Sequence, residues 1–160
     1  MRVTGVVNMK VPIGGVIEIP VGGRFAYALI THKHDDYHEL IRVFCGLYDK
    51  QQKDFSVLIN REVCFSCFTS LKYFIKDGCG SIVGVAGIPK KLKDFPLFRT
   101  GMQNPATGKV DNWWLWDGVK EWRVGGLEPE QYKLPIRGVY GGAVIVKYIQ
   151  EGWRPETAGW

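Results

Sequence analysis

All three histidines of the chain fall in one run, Thr31-His32-Lys33-His34-Asp35-Asp36-Tyr37-His38. Residues two apart on a strand point the same way, so a strand continuing through His34 aims His32 and His34 at one place, as imidazoles sharing a metal must be. Asp36 or His38 could supply a third ligand. A divalent metal held there, zinc or manganese, would lower the pKa of its bound water, to about 7 for zinc, and make a hydroxide nucleophile for phosphoester or acyl hydrolysis. Against this stands a plainer reading of the same residues, as polar groups at a solvated strand end. No further histidine lies elsewhere in the chain to build a second metal position.

The cysteines point less clearly to chemistry. Cys64-Phe65-Ser66-Cys67 has the spacing of a zinc knuckle or redox pair, but no second such pair follows. On a strand, residues three apart face opposite ways, which works against a shared ligand. Cys45, Cys64, Cys67 and Cys79 therefore read as free thiols, mostly small buried hydrophobes, as expected of a cytoplasmic protein. Ala106-Thr107-Gly108-Lys109 resembles half of a phosphate-binding loop, but Gln103 and Val110 stand where that loop needs glycine and Ser or Thr. No nucleophile elbow, paired-carboxylate signature or dinucleotide fingerprint is present.

A binding surface is the other candidate. Asn112 to Val124 holds four of the six tryptophans around Asp117-Gly118, a strong hairpin signal because that pair tolerates positive φ. A two-residue loop pairs Trp116 with Val119, Leu115 with Lys120, Trp114 with Glu121 and Trp113 with Trp122. Trp113, Leu115, Trp122 and Val124 then share one face, and Trp114 and Trp116 the other. Both faces are too apolar to be fully solvated. The hairpin is either an inner pair with Trp113 and Trp122 as a core contact, or it offers Trp114, Trp116 and Arg123 to a partner, since Trp, Tyr and Arg dominate interface hot spots.

The elements that position these groups are short. Strands are expected at Val16–Ile19, Phe25–Ile30, Leu40–Phe44, Val63–Phe68 (with Val63, Phe65 and Cys67 on one side) and Ile82–Val85. A meander is expected from Leu97 through the tryptophan hairpin. Leu71, Phe74 and Ile75 have the spacing of a buried helical face over Leu71–Lys76, ended by Gly78. Phe55–Ile59 reads as strand or ordered connection. Residues 142–150 are strand by propensity, but the spacing of Ile145, Val146 and Ile149 before Gly152 tips the reading to helix. The sum is a β-rich α+β fold: a single domain over residues 1–160 on a twisted antiparallel sheet or partial barrel, with short peripheral helices. Residues 1–12 form an edge strand or arm, and 154–160 a tail.

Composition agrees. Hydrophobic residues at 46% and charged residues at 23% suit an ordinary folded domain, and 20 glycines with eight prolines favour many turns. The net charge of +5 is spread over both halves rather than gathered on one element, which argues against a nucleic-acid binder. No apolar run reaches the length of a signal core or membrane span, so a cytoplasmic location and no membrane partner are expected.

Several segments, taken in order, resemble one family. They are Gly15-Val16-Ile17-Glu18-Ile19-Pro20, Ala26-Tyr27-Ala28 leading into Thr31-His32-Lys33-His34, and Leu40-Ile41-Arg42-Val43-Phe44. Then come Phe95-Pro96-Leu97-Phe98-Arg99, Trp113-Trp114-Leu115-Trp116-Asp117-Gly118 with Glu121-Trp122-Arg123-Val124-Gly125, Leu134-Pro135-Ile136-Arg137-Gly138 and Glu151-Gly152-Trp153-Arg154-Pro155-Glu156. Together they resemble the bacterial immunity protein 26 family, also labelled with a small Hoc-type phosphotriesterase. The resemblance implies a mostly β fold and a protein that binds and neutralises a toxin domain of a bacterial polymorphic toxin system. It implies as the alternative a metal-assisted hydrolase of organophosphate triesters. His32 and His34 stand at the family's Thr-His-x-His stretch.

Overall fold

The structure, a computed structural model, describes residues 10–160. Most of the expected N-terminal arm, residues 1–9, lies outside the described residues. Short apolar runs in the first half of the chain, buried on both faces, build one antiparallel sheet from β1 (Gly15–Val21), β2 (Arg24–His34), β3 (His38–Phe44), β4 (Val63–Thr69) and β5 (Ser81–Val85), in the order β4-β3-β2-β1-β5. Gly22 and Gly23, with φ of 56° and 82°, make the tight turn between β1 and β2, where Val21 pairs with Arg24. The expected meander is present as a second sheet of β6 (Phe98–Thr100), β7 (Trp113–Trp116) and β8 (Glu121–Gly125). The fold is α+β and β-rich. Neither sheet closes into a barrel, and β4 and β5 are the edges of the larger one.

Each face of the large sheet has its own cover. Ile17, Ile19, Ala26, Ala28, Ile30, Ile41, Val43, Phe65 and Cys67 pack on one side against α2 (Leu71–Lys76) and α3 (Gly142–Glu151) through Leu71, Phe74, Ile75 and Ile145. Residues 142–151 are helical because that spacing buries Ile145 against the sheet, and Gly152 ends the helix at φ 64°. The opposite side carries Val16, Tyr27, Leu29 and Phe44 under Leu58 of α1 (Phe55–Leu58), then Leu40 and Phe68 under Phe98 and Trp116 of the meander. Phe55–Leu58 is a helical turn rather than a strand because the Asp54 carboxylate accepts the Val57 N–H and starts it.

Segment 135–140 joins the two sheets. The Arg99 N–H donates to the Pro135 carbonyl and the Arg137 N–H to the Arg99 carbonyl, both at 2.9 Å. Farther on, the Tyr140 N–H donates to the Phe68 carbonyl at 2.8 Å. One extended strap therefore bonds to β6 at one end and β4 at the other.

Three expectations are corrected. Cys45 and Cys64 are not free thiols but form a disulfide, while Cys67 and Cys79 are free. The β3–β4 register steps over Cys64 (Val43 pairs with Phe65, Phe44 with Val63), and this bulge sends Val63 to the face opposite Phe65 and Cys67. Residues 154–160 are no loose tail: Arg154 pairs with Glu62 at 2.8 Å, and the buried Pro155 offers its carbonyl to Arg99 at 2.6 Å.

The hairpin between β2 and β3 closes with His34 opposite His38, and His38 takes φ 72°. That left-handed position is costly for a residue with a Cβ and free for glycine. His38→Gly is expected to raise unfolding stability by about 1 kcal/mol in urea titration.

Candidate functional site

A bulge decides where the histidines face. Ala26, Ala28 and Ile30 point to the helices, and strict alternation would send His32 and His34 after them. Instead the register steps over Thr31, with Ile30 opposite Ile41 and His32 opposite Leu40. The extra residue turns both imidazoles onto the meander side. They do point the same way, and both rings meet Phe95, with centroids at 5.5 and 6.2 Å.

Their nitrogens are committed to the protein. His34 Nε2 donates to the Gly118 carbonyl at 2.9 Å, and its Nδ1 accepts the Asp36 N–H at 3.1 Å. His32 Nε2 donates to the Lys93 carbonyl at 2.8 Å, and its Nδ1 accepts the Thr31 hydroxyl at 2.8 Å. Each ring is thus assigned as the neutral Nε2–H tautomer from its partners. Thr31 Oγ1 in turn accepts from Arg42 Nε at 3.0 Å. The side chains of Asp36 and His38 are exposed. Among the described residues no group of three His, Cys, Asp or Glu is placed to hold a metal ion. The structure brings His32 and His34 together without building the expected ligand set of His32, His34, Asp36 and His38.

Burial shapes the protonation of this corner. Loss of solvent lowers the His32 pKa, with Arg42 adding repulsion against the Lys93 hydrogen bond and Asp94, which raise it. Arg42 is buried with hydroxyl and carbonyl partners, and desolvation takes its pKa down to about 10.

What His34 holds is the tryptophan hairpin, while His32 holds the segment at Lys93 that leads into the meander. Gly118 sits at φ 100°, and a Cβ there would lie 2.7 Å from the Phe95 ring. Glycine is therefore required both by conformation and by contact. Around this joint, Trp116 lies 5.1 Å from His34, 5.1 Å from Tyr37, 5.4 Å from Phe98 and 5.6 Å from Phe95. Pairs of this kind each contribute about 0.5–1.5 kcal/mol beyond simple area burial. The Arg137 guanidinium covers the Trp116 ring at 5.2 Å and pairs with Glu121 at 3.4 Å.

The hairpin register differs from the expected one. The Asp117 carboxylate accepts the N–H groups of Val119 and Lys120 at 2.9 and 2.7 Å, which draws four residues into the loop and depresses its pKa. Trp116 now pairs with Glu121, Leu115 with Trp122 and Trp114 with Arg123. From Trp114 to Trp116 the slip is two residues, one pleat repeat, so Leu115 still shares a face with Trp122, while a further irregularity sets Trp113 opposite Gly125 and the Trp113–Trp122 pair is lost. Trp113 is core, with Arg99 stacked on it at 4.6 Å, whereas Trp122 is 41% exposed. Trp116 is also core, at 5% exposure, and is not available to a partner as it stands.

That leaves Trp114 and Arg123, paired at the end of the meander away from the joint. Trp114 is 38% exposed and Arg123 is exposed, its guanidinium bonded to Asn112 Oδ1. Met102, 90% exposed, lies with Trp114 in the wall of an open depression of about 380 Å³ completed by Gln103, Asn104, Asp111 and Asn112. Met102 and the four polar residues carry no sequence signal of a shared surface, because they are gathered by the Gln103–Val110 bridge and by bonds of Asn104 to Lys109 and Asp111 across the turn. No family model, curated protein or solved structure matches the chain.

Two outcomes follow from this geometry. Gly118→Ala is expected to destabilise the fold by about 1–3 kcal/mol, read from the urea midpoint. Because the folded His32 pKa lies below the ordinary 6.5, the unfolded chain binds its proton first on acidification. Its stabilising effect is complete above about pH 6.5 and is lost as pH falls through the lower folded value. Urea titrations between pH 7 and 5 should show that decline, and His32→Gln should flatten it.

Proposed function

We propose that this chain is an immunity protein of a bacterial polymorphic toxin system, acting by covering the active surface of a toxin domain. The observation that carries the reading is the accessible indole of Trp114 paired with Arg123 on a sheet whose other end is locked to the body of the protein. An indole beside a guanidinium is the chemistry of an interface anchor, and Asn104, Asp111 and Asn112 supply a polar rim. A rigid mount reduces the ordering cost of association. The resemblance of the sequence to the immunity protein 26 family supports the same assignment. The triester-hydrolase alternative asks more of the molecule, since each ring must first give up one of its two partners to bind a metal, Thr31 or Lys93 at His32 and Asp36 or Gly118 at His34.

The test looks for a toxin domain encoded in an adjoining reading frame and pairs this chain with it. Native protein is expected to bind it and restore growth of cells expressing it. Trp114→Ala should weaken binding about thirtyfold by calorimetry, and Arg123→Ala about tenfold, without change in fold. Full binding by both variants would remove the proposed face. Stoichiometric zinc or manganese, lost together with triesterase activity in His32→Ala, would establish the hydrolase instead.

A further inference from the structure

The disulfide joins the loop after β3 to the beginning of β4, where the Cys45 N–H already donates to the Glu62 carbonyl at 2.8 Å. Neighbouring strands are held there by their own ladder, so the bond is not needed to set the topology. Its surroundings are those of a reactive group. Both cysteines are half-exposed, and both line a cavity of about 220 Å³ walled by Leu47, Phe65, Tyr148, Ile149 and Trp153. Tyr148 and Trp153 stack at 4.2 Å, which fixes the far wall.

The two sulfurs are not equivalent. Arg154 Nη2 lies 3.2 Å from Cys45 Sγ while its Nη1 is anchored 2.8 Å from the Glu62 carboxylate. No comparable contact reaches Cys64 among the described residues. A guanidinium keeps its charge at all ordinary pH, so it favours negative charge on Cys45 over Cys64. In thiol–disulfide exchange the sulfur that leaves as the more stable thiolate leaves faster.

We infer that Cys45–Cys64 is a thiol–disulfide exchange site that takes a low-molecular-weight thiol through the cavity and joins it to Cys64. The incoming thiol gives its proton to solvent, and its sulfur attacks Cys64 Sγ. One S–S bond forms to Cys64, the Cys45–Cys64 bond breaks, and the electron pair departs on Cys45 as a thiolate paired with Arg154. A second thiolate of the same class attacks the incoming sulfur, releases the small-molecule disulfide and leaves Cys64 to take a proton from water. Two small thiols are oxidised to one disulfide, and the protein disulfide is reduced. Glu62 is a positioning residue, acting through Arg154.

The experiment treats the oxidised full chain with excess reduced glutathione at neutral pH, quenches with acid and maps the adduct by peptide mass spectrometry. Glutathione is expected on Cys64 with Cys45 free. Arg154→Ala should form the adduct about tenfold more slowly, Arg154→Lys at close to the native rate, and Glu62→Gln in between. Near-ultraviolet circular dichroism checks each variant, and Glu62→Gln carries the rate test should Arg154→Ala fail to fold. An adduct on Cys45, no adduct on the folded protein, or native rates in Arg154→Ala and Glu62→Gln would overturn the inference.

Discussion

The structure depends on one contact between its two sheets: the Gly118 carbonyl on His34 Nε2, with the Phe95 ring filling the space that a side chain at 118 would need. On the large sheet, the bulge at Thr31 turns the imidazole to face the meander. On the meander, the Asp117 carboxylate closes the loop that presents Gly118. Trp116, Tyr37, Phe68 and Phe98 then pack around the joint. Without it, β6–β8 would be a small sheet of three short strands, marginal by itself.

The strap of residues 135–140 and two buried arginines complete the attachment. Arg99 gives its Nη2 to the carbonyls of Tyr132 and Pro155, and Arg42 gives its donors to Thr31, Ser66 and the Asp94 carbonyl. Both cations meet neutral oxygens rather than direct carboxylate pairs, and Arg99 Nη1 is buried without a hydrogen-bond partner among the described residues. Removing an acceptor from either would leave a buried charge short of partners, which costs far more than an exposed ion pair contributes. These contacts link elements distant in sequence and make the mount of Trp114 and Arg123 rigid.

Much of this fold was legible in the chain. Short apolar runs bounded by turn residues located the strands of the large sheet, the spacing of Leu71, Phe74 and Ile75 located α2, and Asp117-Gly118 located the meander hairpin. What alternation cannot show is a bulge. Three departures come from single extra residues or one side-chain bond: Thr31 for the facing of the histidines, Cys64 for Val63, and the Asp117 carboxylate for the tryptophan register. The disulfide was hidden for a related reason. Cys45 and Cys64 meet only because β3 and β4 pair, which no local spacing announces. Among the described residues no helix is long and apolar enough to cross a membrane, while a disulfide is uncommon in reducing compartments.

The ring nitrogens of the histidine run therefore have two competing uses: all four held by protein partners as a clamp, or one on each ring given to a metal. Nitrogen-15 NMR of the imidazoles, recorded with and without one equivalent of zinc, distinguishes them directly. The clamp predicts neutral Nε2–H tautomers for His32 and His34 at pH 7.5, with ring shifts unmoved by the metal. An Nδ1–H tautomer at His34, or zinc-induced shifts at both rings, would contradict it.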